Sequence, residues 1–81
     1  MSLRVHIEYF ALFREQAGCA EETVETVAGD PGQLYAELAE RHGLTLEPGR
    51  LKVAVNDRFV DWDASLADGD RVVFIPPVAG G

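Results

Sequence analysis

The sequence predicts an α+β fold in which a mixed sheet of about five strands carries one main helix on one face. Three observations predict it. Short runs at both ends of the chain alternate apolar with polar residues, as half-buried strands do. One central stretch repeats apolar residues at helical spacing between start and stop signals. The 81 residues leave room for a single domain, in which one sheet and one helix bury each other's apolar faces.

Leu3-Arg4-Val5-His6-Ile7-Glu8-Tyr9-Phe10 alternates, with Leu3, Val5, Ile7 and Tyr9 on one side and Arg4, His6, Glu8 and Phe10 on the other. A period of two makes this a strand and places Phe10 on its polar face. Ala11 to Ala17 reads as a short helical turn stopped by Gly18. Glu22 to Val27 sets Val24 and Val27 among threonines and reads as the second strand. Asp30-Pro31-Gly32-Gln33 then supplies an N-cap residue, a proline at the first helical position and a glutamine at the capping-box position. Leu34, Tyr35, Leu38 and His42 recur on one side, Glu37, Glu40 and Arg41 lie outside, and Gly43 follows as the C-cap. The spacing predicts a helix over about 31–42. Leu44 to Arg50 holds Pro48-Gly49 and reads as loop. Leu51, Val53 and Val55 alternate as a third strand, Asn56-Asp57 turns the chain, and Phe59 to Trp62 returns as a short fourth. Ala67-Asp68-Gly69-Asp70 is another turn. Arg71 to Ile75 is the last strand, with Val72 and Phe74 opposed to Val73 and Ile75. The order strand, strand, helix, strand, short strand, strand is that of a ubiquitin-like β-grasp, which places a domain over 1–75 and a flexible tail over 76–81.

Composition narrows the function. A chain this short buries only about 60–65% of its unfolded surface, so a partner is expected to supply most of any reaction pocket. Fourteen acidic against seven basic residues give a formal net charge of −7. That balance argues against nucleic acid and against an anionic membrane surface, and fits docking on a basic partner. Cys19 is the single cysteine, which leaves no internal disulfide and no cysteine-based metal cluster. No basic segment precedes an apolar run at the N-terminus and no stretch approaches membrane-spanning length, so a cytoplasmic protein is expected.

The tail is where chemistry is expected. Pro76-Pro77 stops strand pairing and stiffens the exit in an extended form. Val78-Ala79-Gly80-Gly81 is small and uncharged apart from the terminal carboxylate, and suits threading into a narrow channel of another protein. A terminal carboxylate is ionised at neutral pH, with a pKa of about 3.3–3.7, and is a poor electrophile. Coupling to AMP would give it a leaving group, and a sulfur nucleophile could then make it a thiocarboxylate. The plain alternative is that two glycines simply end the chain.

Other residues carry less. Cys19 has no adjacent His or Lys to activate it. His6 and His42 are isolated in sequence, so no metal or base role is assigned. Asp57, Asp61 and Asp63 lack the spacing of a calcium loop and read as solvated. Trp62 reads as a packing residue.

Three stretches resemble the small subunit of molybdopterin synthase, the MoaD-type sulfur carriers. They are residues 9–18 (Tyr9-Phe10-Ala11-Leu12-Phe13-Arg14-Glu15-Gln16-Ala17-Gly18), residues 55–60 (Val55-Asn56-Asp57-Arg58-Phe59-Val60) and residues 66–81, which join the turn, the last strand, Pro-Pro and Gly-Gly. The resemblance implies that the Gly81 carboxylate is adenylated with ATP by an enzyme similar to ubiquitin-activating enzymes. A sulfur donor protein would then help convert it to a thiocarboxylate. The tail, Gly80 included, would thread into the large subunit of molybdopterin synthase and give sulfur to cyclic pyranopterin monophosphate. Two charged carriers would serve each dithiolene, in a heterotetramer with two small subunits on a large-subunit dimer. The chain alone would be non-catalytic and would hold no permanent cofactor. Phe10, Phe59 and Ile75 fall on the sheet face opposite the helix and match apolar interface positions of that family, with Pro76, Pro77, Val78 and Ala79 continuing the contact. The plainer alternative is a core-edge packing role for Phe59 or Ile75. Arg14 either pairs with an acidic partner group or is solvated. Three rival readings stand beside this one: a carrier for tRNA or thiamine thiolation, a ubiquitin-like protein modifier, and an interaction module with an inert tail.

Overall fold

The computed structural model describes residues 2–77. Strands β1 (Leu3–Tyr9), β2 (Glu21–Thr26), β3 (Lys52–Val55), β4 (Arg58–Val60) and β5 (Arg71–Ile75) form one sheet in the order β2-β1-β5-β3-β4. The first and last strands lie side by side at its centre and run parallel, with Tyr9 opposite Phe74, while the other neighbours are antiparallel. A short helix α1 (Leu12–Ala17) joins β1 to β2, and the main helix α2 (Pro31–His42) crosses one face.

The start and stop signals of α2 act as the sequence predicts. Asp30 Oδ1 accepts from the Gln33 N–H at 2.8 Å, Pro31 opens the first turn, and Gly43 ends the helix at φ 71°. Gln33 differs in one detail: its side chain reaches back to the Gly29 N–H at 2.9 Å rather than to the cap residue itself. Leu34, Tyr35 and Leu38 turn into the core, where they meet Val5, Ile7, Val53, Val72 and Phe74 from the inner face of the sheet. Phe74 stacks on Trp62 at 6.0 Å and meets Tyr35 edge-on at 5.2 Å, so Trp62 is a packing residue.

The structure departs from the sequence reading at several element limits. The second strand ends at Thr26, and Val27 stands outside at 78% exposure. Val24 and Val27 are three apart, so a period of two cannot bury both. Thr26 takes the inner position because its hydroxyl is satisfied, donating to Glu37 Oε1 at 2.8 Å and accepting from the Ala28 N–H at 3.0 Å. The fourth strand stops at Val60, because Trp62 leaves the ladder to stack on Phe74. The segment 44–50 contains a 3₁₀ turn over Pro48–Arg50.

Turn chemistry sets the register beside β5. Asn56 and Asp57 both have positive φ, the requirement of a two-residue hairpin turn between β3 and β4. Asn56 then binds the neighbouring strand: its side chain accepts from the Arg71 N–H at 3.0 Å and donates to Asp70 Oδ1 at 2.9 Å.

Candidate functional site

Strand alternation leaves the outer face of the sheet without a helix. The inner positions of β5, Val72 and Phe74, are buried beneath α2, so Arg71, Val73 and Ile75 point outward. On β3 the outward residues are Lys52 and Ala54, and Ala54 faces Phe59 of β4. On β1 they are Arg4, His6 and Glu8, with Phe10 one residue beyond the strand end.

These residues form a shallow groove of about 380 Å³, lined by Phe10, Phe59 and Ile75 together with Ala54, Val73, Glu8, Asp57 and Arg71. The three residues singled out from the sequence therefore share one depression. Phe10 is 44% and Phe59 69% exposed, which is high for aromatic side chains. Val73 and Ala54 make its floor, and both are largely buried by their neighbours. Lys52 Nζ sits 5.6 Å over the Phe59 ring as a cation–π contact at one margin.

The opposite margin is ionic. Arg71 donates through Nη2 to Asp57 Oδ1 at 2.6 Å, and its Nε lies 3.5 Å from Glu8 Oε1. This clasp ties β1, β5 and the β3–β4 turn together at the polar end of the groove. The floor residue Val73 was legible in the alternation of β5. The clasp was not, since its members lie far apart in sequence.

From the groove the chain leaves through Ile75, half-buried Pro76 and exposed Pro77. The predicted tail residues Val78, Ala79, Gly80 and Gly81 lie outside the described residues. Arg14 is exposed on α1 and is not part of the groove lining.

The histidines set aside from the sequence are not isolated in space. His42 Nε2 lies 2.7 Å from Glu22 Oε2, and the Tyr9 hydroxyl donates to the same oxygen at 2.6 Å. Burial alone would raise the Glu22 carboxyl, but the hydrogen bonds from Tyr9 and His42 and the charges of His42 and Arg41 hold it below its ordinary range. An ionised carboxylate only accepts, so both partners donate to it. The Tyr9 hydroxyl is pushed far up, first by burial and then by its bond to Glu22. This network fastens the end of α2 to β1 and β2, on the side of the sheet away from the groove. On the outer face, His6, Glu8 and Glu21 bring one ligand atom each within 4.8 Å of one another, but Glu8 also pairs with Arg71 and His6 Nδ1 with Thr23.

Residues 7–81 match the family model described as ThiS family. The chain belongs to the ThiS family. The molybdopterin synthase sulfur carrier subunit of Escherichia coli is 39% identical over 82 residues, covering 95% of this chain and 99% of the relative. Among solved structures, a putative molybdopterin converting factor subunit 1 from Pyrococcus furiosus is 36% identical with a TM-score of 0.78, covering 94% of this chain and 99% of that one. A chain from the complex of subunits 1 and 2 of the molybdopterin-converting factor of Helicobacter pylori is 32% identical with a TM-score of 0.65, covering 98% of this chain and all of that one. The ThiS-family fold is thus the mixed sheet and single main helix described above, and among the described residues no helix is long and apolar enough to cross a membrane.

Proposed function

We propose that this ThiS-family chain is a sulfur carrier of molybdopterin synthase that works through Gly81. The observation that supports it most is the placement of the exposed apolar groove where the last strand leaves the sheet toward the Gly-Gly end. A carrier needs a surface that a partner grips beside a segment that the partner can thread. The relatives named as sulfur carrier subunits of this synthase lend the reaction its identity.

The chemistry falls on the tail. A carboxylate oxygen of Gly81 attacks the α-phosphorus of ATP, the bond to pyrophosphate breaks, and an acyl adenylate forms on a ubiquitin-activating-like enzyme. Hydrosulfide released by a donor protein attacks the acyl carbon, the bond to AMP breaks, and a thiocarboxylate remains. With the tail in the large subunit, the thiocarboxylate sulfur bonds to a side-chain carbon of cyclic pyranopterin monophosphate in place of oxygen, and water then cleaves the acyl–sulfur bond, leaving the sulfur on the pterin and restoring the Gly81 carboxylate. Two carriers serve each dithiolene. Phe10, Phe59 and Ile75 hold the carrier on its partner, and Pro76-Pro77 end strand pairing before the tail.

The test is the intact mass of the protein from cells that also make its activating enzyme, with fragmentation to locate any change. A single oxygen-to-sulfur exchange on Gly81 supports the carrier reading. Oxidation of Met1 adds nearly the same mass, so position decides. An unchanged Gly81, beside a related carrier charged in parallel, overturns it, and a Gly81–lysine linkage would point to protein modification instead.

A further inference from the structure

Three non-glycine residues described here have positive φ: Ala11, Asn56 and Asp57. Asn and Asp accept left-handed backbone readily, and both sit in a hairpin turn that asks for it. Ala11 is different. It combines φ 50° with ψ −120°, and the Phe13 N–H donates to the Phe10 carbonyl at 3.0 Å across it. That is the first central position of a type II′ turn, which is glycine's place because a Cβ there is strained. Nothing in the core requires alanine, since Ala11 is exposed.

The strain lies beside the groove. Phe10 lines it, and the exposed surface continues around the corner through Ala11 to Leu12, which is 38% exposed. On the other side of the same turn Phe13 is fully buried in the core. The corner thus holds one aromatic ring outward and the next inward within four residues. The Ala11 carbonyl also accepts from the Arg14 N–H at 3.0 Å, which starts α1 from the strained residue.

We infer that Ala11 is a positioning residue for docking: its strained turn holds Phe10, the Ala11 methyl and Leu12 as a rigid apolar lip against the synthase large subunit. The inference rests on the docking reading proposed above. Glycine would relax the turn, but it would also free the corner, and docking would then have to order a backbone that alanine keeps restricted. The strain is held in the free protein and serves the bound one. A residue that only shaped the fold would move stability and affinity in the same direction; this one moves them in opposite directions.

The experiment compares wild type, Ala11→Gly and Phe10→Ala as full-length proteins, by thermal unfolding and by calorimetric titration with the cognate large subunit. Ala11→Gly is expected to unfold a few degrees higher, at the scale of about 4–8 °C per unit of free energy typical for a domain this size. It is expected to bind roughly two- to fivefold more weakly, the cost of ordering one freed corner. A more stable variant with undiminished affinity overturns the positioning role, and a variant no more stable than wild type overturns the strain. Phe10→Ala separates this inference from its foundation: if it binds as tightly as wild type, the groove is not the docking surface and both readings fall.

Discussion

Truncating Phe59 to alanine should weaken docking while leaving the fold intact. A phenylalanine offers about 150–250 Å² to burial. Phe59 keeps 69% of its surface exposed in the free domain. About 100–170 Å² therefore remains for a partner to cover, worth roughly 2.5–4 kcal/mol at 25 cal/mol per Å². A partner covers only part of this, and alanine retains the Cβ, so a loss of about 1.5–3 kcal/mol is expected, or roughly a ten- to hundredfold weaker complex. The free domain should lose little. Phe59 stands opposite Ala54 across the strand pair with the Lys52 ammonium over its ring, and a cation–π contact at an exposed site contributes about 0.5–1 kcal/mol. Calorimetric titration with the large subunit and urea unfolding of the free chain give the two numbers. A drop in affinity below threefold, or a loss of stability as large as the loss of affinity, would refute the reasoning.

Two further predictions concern the scaffold. Asp30→Ala should lower stability by about 1 kcal/mol, with Asp30→Ser recovering most of it, because the Asp30 carboxylate caps the Gln33 N–H at 2.8 Å; urea midpoints of the two variants check this. Acid stability should depend on Glu22, whose carboxyl lies below its ordinary value of 4.5 in the folded chain. A depressed acid stabilises the fold above its unfolded value, and the contribution disappears as pH falls through the lowered one. Unfolding midpoints measured from pH 7 down should therefore fall below about pH 4.5 in wild type and fall less steeply in Glu22→Gln, whereas parallel curves would exclude the network as the cause.

Local signals carried much of the fold. Asp30, Pro31 and Gly43 mark the limits of α2 because capping is a matter of neighbouring residues, and Asn56-Asp57 mark a hairpin for the same reason. The alternation in β1 and β5 was enough to place Phe10 and Ile75 on one face. Contacts between distant segments were not legible. The Arg71 clasp joins residues from β1, β5 and the β3–β4 turn, and the Tyr9–Glu22–His42 network joins two strands and a helix. Val27 shows the limit of propensity: the valine counted into the second strand stands outside it, and Thr26 with two hydrogen-bond partners holds the inner place. The strain at Ala11 is invisible in sequence, since alanine is an ordinary residue at the start of a helical turn.

The pairing of the chain's two ends explains why the groove lies where the chain leaves. Along β1 the outward residues run from Arg4, His6 and Glu8 to Phe10, and along β5 from Arg71 to Val73 and Ile75. Each series changes from charged to apolar in the same direction along the chain. Were the two strands antiparallel, the apolar ends would stand at opposite edges of the sheet and neither would form a patch. Because they are parallel and in register, His6 opposite Arg71 and Tyr9 opposite Phe74, the charged halves meet at one edge and the apolar halves at the other. The charged half satisfies itself through Arg4 with Glu25, His6 near Glu21 and Arg71 with Glu8 and Asp57. The apolar half leaves Phe10 and Phe59 largely exposed, Phe59 with only the Lys52 ammonium over its ring, and it borders Ile75, the last residue before the prolines. The main helix α2 covers the other face. Topology therefore places the uncovered apolar surface and the departing chain at one edge, where a single partner can hold the first while it receives the second.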